Sequence, residues 1–200
     1  MTEKERMLAG KLYVVNKELV KDMRKAHMLT RQFNNTTEEQ GKYRVELLME
    51  LFASTGKKIH IEPPFHCDYG CNISIGEGFY ANYDCIIIDV CEVNIGKDVL
   101  FGPKVCVYTA GHPIDPLVRN TLLEYGKPVT IGNSVWVGGN TVINPGVSIG
   151  DNAVIGSGSV VTKNIPDNVI AAGNPCKVLR EITDEDKLYW EKLRLEYEES

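Results

Sequence analysis

His112 is the side chain in this 200-residue sequence best placed to do chemistry. It stands in Thr109-Ala-Gly-His-Pro-Ile-Asp115, held between a glycine and a proline. An imidazole titrates near neutrality, so one fixed in place can take a proton from a hydroxyl as a general base. On residue type alone, such a histidine is more often a hydrogen-bonded loop residue than a catalyst. The other histidines are placed differently. His27 falls in a charged helical stretch and is expected to be solvated, while His60 and His66 flank Pro63-Pro64. The six cysteines lie at 67, 71, 85, 91, 106 and 176. Cys67 and Cys71 form a close pair with no second pair beside them, so zinc spacing is absent and no metal site is expected.

The elements that must position His112 are read from a period of six. From Ile131 the chain runs in blocks opened by Ile131, Val137, Ile143, Ile149, Ile155 and Val161, most of them followed by glycine. The fifth places hold Val135, Thr141, Val147, Ala153, Ser159 and Ile165, all compact or β-branched. A fixed short period is the mark of a solenoid, and a period of six predicts a β-helix with one block per flat face. Openers point inward, and Gly or Asn turns the corners where φ > 0 is needed. Looser copies begin at Ile73, Ala81 and Ile87, then a slip of two residues precedes Ile95 and Phe101. Between Val107 and Thr130 the phase is lost across Gly111-His-Pro-Ile-Asp-Pro116. That segment predicts a loop thrown out of the solenoid, the place where repeat proteins carry chemistry.

Three regions follow: a helical segment at 1–58, a β-helix at 59–182 with an external loop near 109–130, and a terminal helix at 183–200. In the first, helices are predicted at Glu3–Leu12, at Lys17–Asn34 capped by Asn16, and at Gly41–Ser54 after a Thr37/Gln40 capping box. In the last, Thr183 and acidic residues 184–186 open a helix carrying Leu188, Trp190, Leu193 and Leu195. Stacked coils need covered ends, so all these helices are expected to be caps. The net charge of −5 and the lack of a basic run argue against a nucleic-acid partner. The charged amino terminus and short apolar runs predict neither signal peptide nor membrane span, and thiols among the repeats suit a reducing cytoplasm.

Taken together, Phe79-Tyr-Ala-Asn82, Thr109-Ala-Gly-His-Pro-Ile-Asp115, Glu124-Tyr-Gly-Lys-Pro-Val129, Val135-Trp-Val-Gly138, Val142-Ile-Asn-Pro-Gly146 and Gly156-Ser-Gly-Ser-Val-Val-Thr-Lys163 resemble the hexapeptide-repeat acetyltransferases. The nearest branch looks like the maltose and galactoside O-acetyltransferases, and the match extends to Met7-Leu-Ala-Gly-Lys-Leu-Tyr13. The resemblance implies a left-handed parallel β-helix, against the usual right-handed crossover. It also implies homotrimers with active sites between subunits, and acetyl-CoA as co-substrate without a metal. His112 would be the general base in direct transfer of acetyl to a sugar hydroxyl, normally the C6 hydroxyl of maltose or glucose. The backbone N–H of Gly139 would meet the oxyanion.

The same resemblance places Asn82, Asp89, Tyr80 and Asp68 toward the sugar, and Glu124 toward the sugar or the histidine. It places Trp136, Ser157, Thr162 and Lys163 along the CoA groove, with Lys177 and Arg180 at its phosphates. By residue type alone, Asn82 reads as a corner residue and Asp89 as a solvent-facing carboxylate at a turn. Two departures touch the acceptor pocket: the segment after Tyr13 reads Val14-Val-Asn16 without the family's aspartate, and Asp89-Val90 replaces two successive aspartates. A galactoside or an amino-sugar oligomer stays open as acceptor. Two other readings on this scaffold are a metal-dependent hydratase, which would need three converging histidines, and a trimeric binding protein without activity.

Overall fold

The computed structural model describes residues 1–200. Short strands climb in triangular coils, because each block of six is long enough for one flat face and one corner. The first coil is β1 (Ile59–Ile61), β2 (Phe65–Cys67) and β3 (Ile73–Ile75); the second is β4 (Phe79–Ala81), β5 (Cys85–Ile88) and β6 (Val93–Ile95). The third begins with β7 (Leu100–Phe101) and β8 (Cys106–Tyr108). It then leaves the prism through β9 (Ala110–Gly111), α4 (Pro116–Arg119) and β10 (Tyr125–Gly126), and closes with β11 (Val129–Ile131). The fourth is β12 (Trp136–Val137), β13 (Val142–Ile143) and β14 (Ser148–Ile149). The fifth has β15 (Val154–Ile155), β16 (Val160–Val161) and a bridge from Ile165 to Ile149.

Each block stacks on its counterpart one coil away, giving three parallel sheets. Face one is β1-β4-β7-β12-β15 continued by β17 (Val169–Ala172), face two is β2-β5-β8-β13-β16, and face three is β3-β6-β11-β14. After β17 the chain reverses, and β18 (Lys177–Glu181) pairs antiparallel with it. The six openers from Ile131 to Val161 are all buried, as are all six fifth-place residues. Thr141 and Ser159 are tolerated inside because each hydroxyl donates to a turn carbonyl, Gly138 and Gly156 respectively. The corner between faces three and one takes positive φ in every coil, through Gly78, Asp98, Ser134, Asn152 and Asn168. The predicted Gly and Asn corners are therefore joined by Asp and Ser.

The helical segment covers the first coil. It consists of α1 (Glu3–Leu8), α2 (Lys17–Asn34), capped by Asn16, and α3 (Gly41–Leu51), reached through a 3-10 turn that carries the Thr37/Gln40 capping box. Ala26, Leu29 and Phe33 of α2 and Leu47, Leu48 and Leu51 of α3 join the core of the prism. Shorter than predicted, α1 ends before Gly10, which has φ +67°. The terminal helix α5 (Asp184–Glu198) forms as predicted but buries none of its residues. Leu188 and Trp190 are about two-thirds exposed, so within one chain this helix caps nothing, contrary to expectation.

Candidate active site

Departures from the six-residue period collect on one edge of the prism. Inward residues on faces two and three lie six apart in the fourth coil (Ile143 to Ile149) but eight apart in the first two (Cys67 to Ile75, Ile87 to Ile95) and twenty-four apart in the third (Val107 to Ile131). The extra residues all emerge at the corner between faces two and three. They carry Asp68, Asp89, His112 and Glu124.

At this edge Asp89 is buried, with no exposed surface. Its Oδ1 accepts the backbone N–H groups of Asp68 (3.0 Å) and Tyr69 (2.9 Å), and its carbonyl accepts from the Asn72 side chain (2.7 Å). Oδ2 is buried without a partner. Burial pushes the Asp89 carboxyl up to about 7; the Tyr69 N–H opposes this and the charge of Asp68 adds to it. Asp68 is half-buried and also raised, chiefly by burial, with His27 opposing and Glu124 reinforcing.

Glu124 is tied to the amino-terminal segment. Its backbone exchanges two hydrogen bonds with Tyr13, both 3.0 Å, and the Tyr13 phenol donates to Glu124 Oε2 at 2.8 Å. Tyr13 is buried, and burial followed by this bond drives its pKa far upward. Met7, Tyr13 and Leu19 pack with Tyr69 and Val90, so the amino terminus straps the excursion to the prism. β9 and β10 pair antiparallel there, with Tyr125 opposite Gly111. A Cβ on Gly111 would lie 2.7 Å from the Tyr125 ring, so only glycine lets that ring cover the backbone next to His112. His112 itself follows the ribbon, exposed.

A second group lies on the edge between faces one and two. Asn82, Gly102, Gly138 and Gly156 stack there at equivalent corners, with Gly139 and Ser157 each one residue further on. Asn82 acts as a corner residue, its Oδ1 accepting the Tyr83 N–H at 2.8 Å. Gly139 packs against Pro103, accepts a hydrogen bond on its carbonyl from Gly158, and offers its own N–H to no group of the chain. Lys177, exposed, pairs with Ala172 at the end of face one. On the outer surface of face one, His60, Tyr80, Leu100, Trp136, Val154 and Ile170 form a column; Tyr80 stacks on His60 at 5.4 Å. Trp136 and Trp190 line a groove of about 710 Å³ with Arg180.

Comparison with known proteins decides the family. Residues 6–56 match the maltose acetyltransferase hexapeptide capping motif, and residues 128–163 match the bacterial transferase hexapeptide, six repeats. Galactoside O-acetyltransferase from Escherichia coli (strain K12) is 47% identical over 94% of this chain and 93% of its own. The crystal structure of a maltose O-acetyltransferase from Clostridium difficile 630 is 54% identical, covers 92% of this chain and 98% of its own, and superposes with a TM-score of 0.91. A galactoside acetyltransferase in complex with coenzyme A also gives 0.91, at 46% identity over 94% of each chain. This chain belongs to the hexapeptide-repeat sugar O-acetyltransferases.

The N–H of Gly139, unspent within the chain, is a free backbone donor on the edge between faces one and two. No three His, Cys, Asp or Glu side chains converge to hold a metal ion, and no helix is long and apolar enough to cross a membrane.

The residues named from the sequence fall at several places on the prism. Asp89 is neither solvent-facing nor open to a sugar; two backbone donors hold it inside. Tyr80 sits on face one, a different face from Asp68 and Glu124. Arg180 spends its fork on Asp186, at 2.6 and 2.8 Å, inside the capping box that opens α5. Thr162 and Lys163 continue β16 on the edge of His112, while Gly139, Ser157 and Lys177 belong to the other edge. His27 is exposed as predicted, yet lies close enough to Asp68 to act on its charge. Sequence reading missed Tyr13, Tyr69 and Asn72 as holders of the site. Their signal was the two-residue slip, which marks the bulged edge they brace.

Proposed function

We propose that this chain transfers acetyl from acetyl-CoA to the C6 hydroxyl of maltose or glucose, at a site completed by two copies within a trimer. The observation that carries this reading is that the base and the oxyanion donor lie on different edges of one prism. Gly139 packs on Pro103 at the start of face two, whereas the chain leaves for His112 after Tyr108 at its end. Five strand residues span about 16 Å, too far for both groups to touch one reacting carbonyl. A cyclic assembly brings one edge of each copy against the other edge of its neighbour.

In that arrangement one copy supplies His112, Glu124, Asp68, Thr162 and Lys163, and the next supplies Gly139, Asn82, Tyr80, Ser157 and Lys177. Acetyl-CoA supplies the activated acetyl group. His112 accepts the proton of the sugar hydroxyl as that oxygen attacks, then returns it to the leaving sulfur. Gly139 N–H meets the negative oxygen that develops. Holding two substrates side by side removes much of the entropic barrier. Lys177 is free to meet a CoA phosphate; Arg180 does so by exchanging Asp186 for the anion. Six free thiols, four of them buried, suit a reducing cytoplasm.

The test is thiol release from acetyl-CoA against a panel of mono- and disaccharides, with NMR of the product. Maltose and glucose are expected to give the fastest release and an ester on the primary carbon. Release confined to galactosides or amino sugars, or an ester on a ring carbon, would reject this acceptor.

A further inference from the structure

A polar cavity of about 410 Å³ opens between α2 and face two, lined by His27, Thr30, Arg31, Asn34, His66 and Asp68 with Ile88 among them. Its walls are fixed. Asn34 clamps the helix to β2, donating to the Phe65 carbonyl at 2.9 Å and accepting the Phe65 N–H at 2.8 Å. The Thr30 hydroxyl is spent on the carbonyls of Ala26 and His27. The groups facing the space are unspent: neither side chain of His27 and Arg31, one helical turn apart, has a partner in the chain, nor has the side chain of His66 or the carboxylate of Asp68.

The cavity lies on the same edge as His112. Cys67 pairs with Ile87, and Ile87 with Val107, so Asp68 is two coils from Tyr108, roughly 10 Å along the edge. That is the reach of two linked sugar rings. A carboxylate acceptor beside guanidinium and imidazole donors matches vicinal hydroxyls, which donate and accept at once. Ile88 offers an apolar patch for the C–H face of a ring. The volume suits one pyranose with its water.

We propose that this cavity is a second sugar subsite, in which His27, Arg31 and Asp68 read the ring that is not acetylated. The acceptor class is therefore a disaccharide or longer glycoside. This rests on the acetyl transfer at His112 proposed above. The experiment compares kcat/KM for maltose and for glucose in the wild type, His27→Ala and Arg31→Ala; both side chains are exposed, so neither change disturbs the core. Arg31→Ala is expected to cut kcat/KM for maltose about tenfold while glucose stays within about twofold, since one charged hydrogen-bonding group is lost. His27→Ala is expected to act in the same direction. An unchanged maltose-to-glucose ratio, or an equal fall for both sugars, overturns the subsite. If the wild type acetylates neither sugar, the reading above fails instead. Calorimetric titration of maltose then still decides the cavity: binding weakened in Arg31→Ala supports it, and equal binding or none in both proteins rejects it.

Discussion

His112→Ala should lower turnover roughly 10²–10⁴-fold, the range over which a positioned general base contributes. The side chain is exposed at the end of the β9–β10 ribbon and takes part in no hydrogen bond, so its removal leaves the fold intact. Melting temperature and the affinity for CoA should stay at wild-type values. Steady-state thiol release, thermal melts and CoA titration on the same preparation check all three. A mutant that turns over at the wild-type rate would remove His112 from the mechanism. One that loses turnover together with several degrees of melting temperature would show that the ring braces the ribbon.

Asp89→Asn should change how stability depends on pH. The Asp89 carboxyl is raised to about 7 in the folded chain by burial, against an ordinary value of 3.8. A carboxyl raised by folding holds its proton more tightly in the folded state. Its contribution is therefore fully present below about pH 4, and is lost as pH rises through about 7. Carried to full ionisation, this corresponds to roughly 4 kcal/mol. Asparagine keeps an oxygen for the N–H groups of Asp68 and Tyr69 without the charge. Urea unfolding should show the mutant gaining on the wild type by roughly 3 kcal/mol between about pH 5 and about pH 8. Parallel stability curves for the two proteins would mean that Asp89 is ionised at no stability cost.

The prism could be read from the chain because its rule is local. Every residue from Val135 to Ile165 that the period points inward is buried, since one residue per short strand must fill a narrow interior. The His112 excursion was equally plain, because Pro113 and Pro116 cannot continue a strand. In the first two coils the edge that gathers Asp68 and Asp89 was visible only as a slip of two residues, and a slip does not say what it holds. Asp89 shows the limit well. A carboxylate at a turn reads as solvated, and only the fold brings two backbone donors to its Oδ1. Helix α5 shows another. Leu188, Trp190 and Leu195 ask for a surface to cover, but spacing along a helix does not name that surface. The proposed division of the site between two edges would be a property of assembly, which no single chain encodes as a contact.

Mixing two inactive variants tests this division most directly. Ser157→Trp places a bulky side chain on the exposed corner beside Gly139, and His112→Ala removes the base from the opposite edge. Each alone should be nearly inactive. Refolded together in equal amounts, random trimers contain sites that draw an intact edge from each parent, about a quarter of all sites. Recovery of about a quarter of wild-type thiol release is therefore expected. No recovery, with mixed trimers verified by mass spectrometry, would mean that one chain holds the whole site and that the two-edge account is wrong.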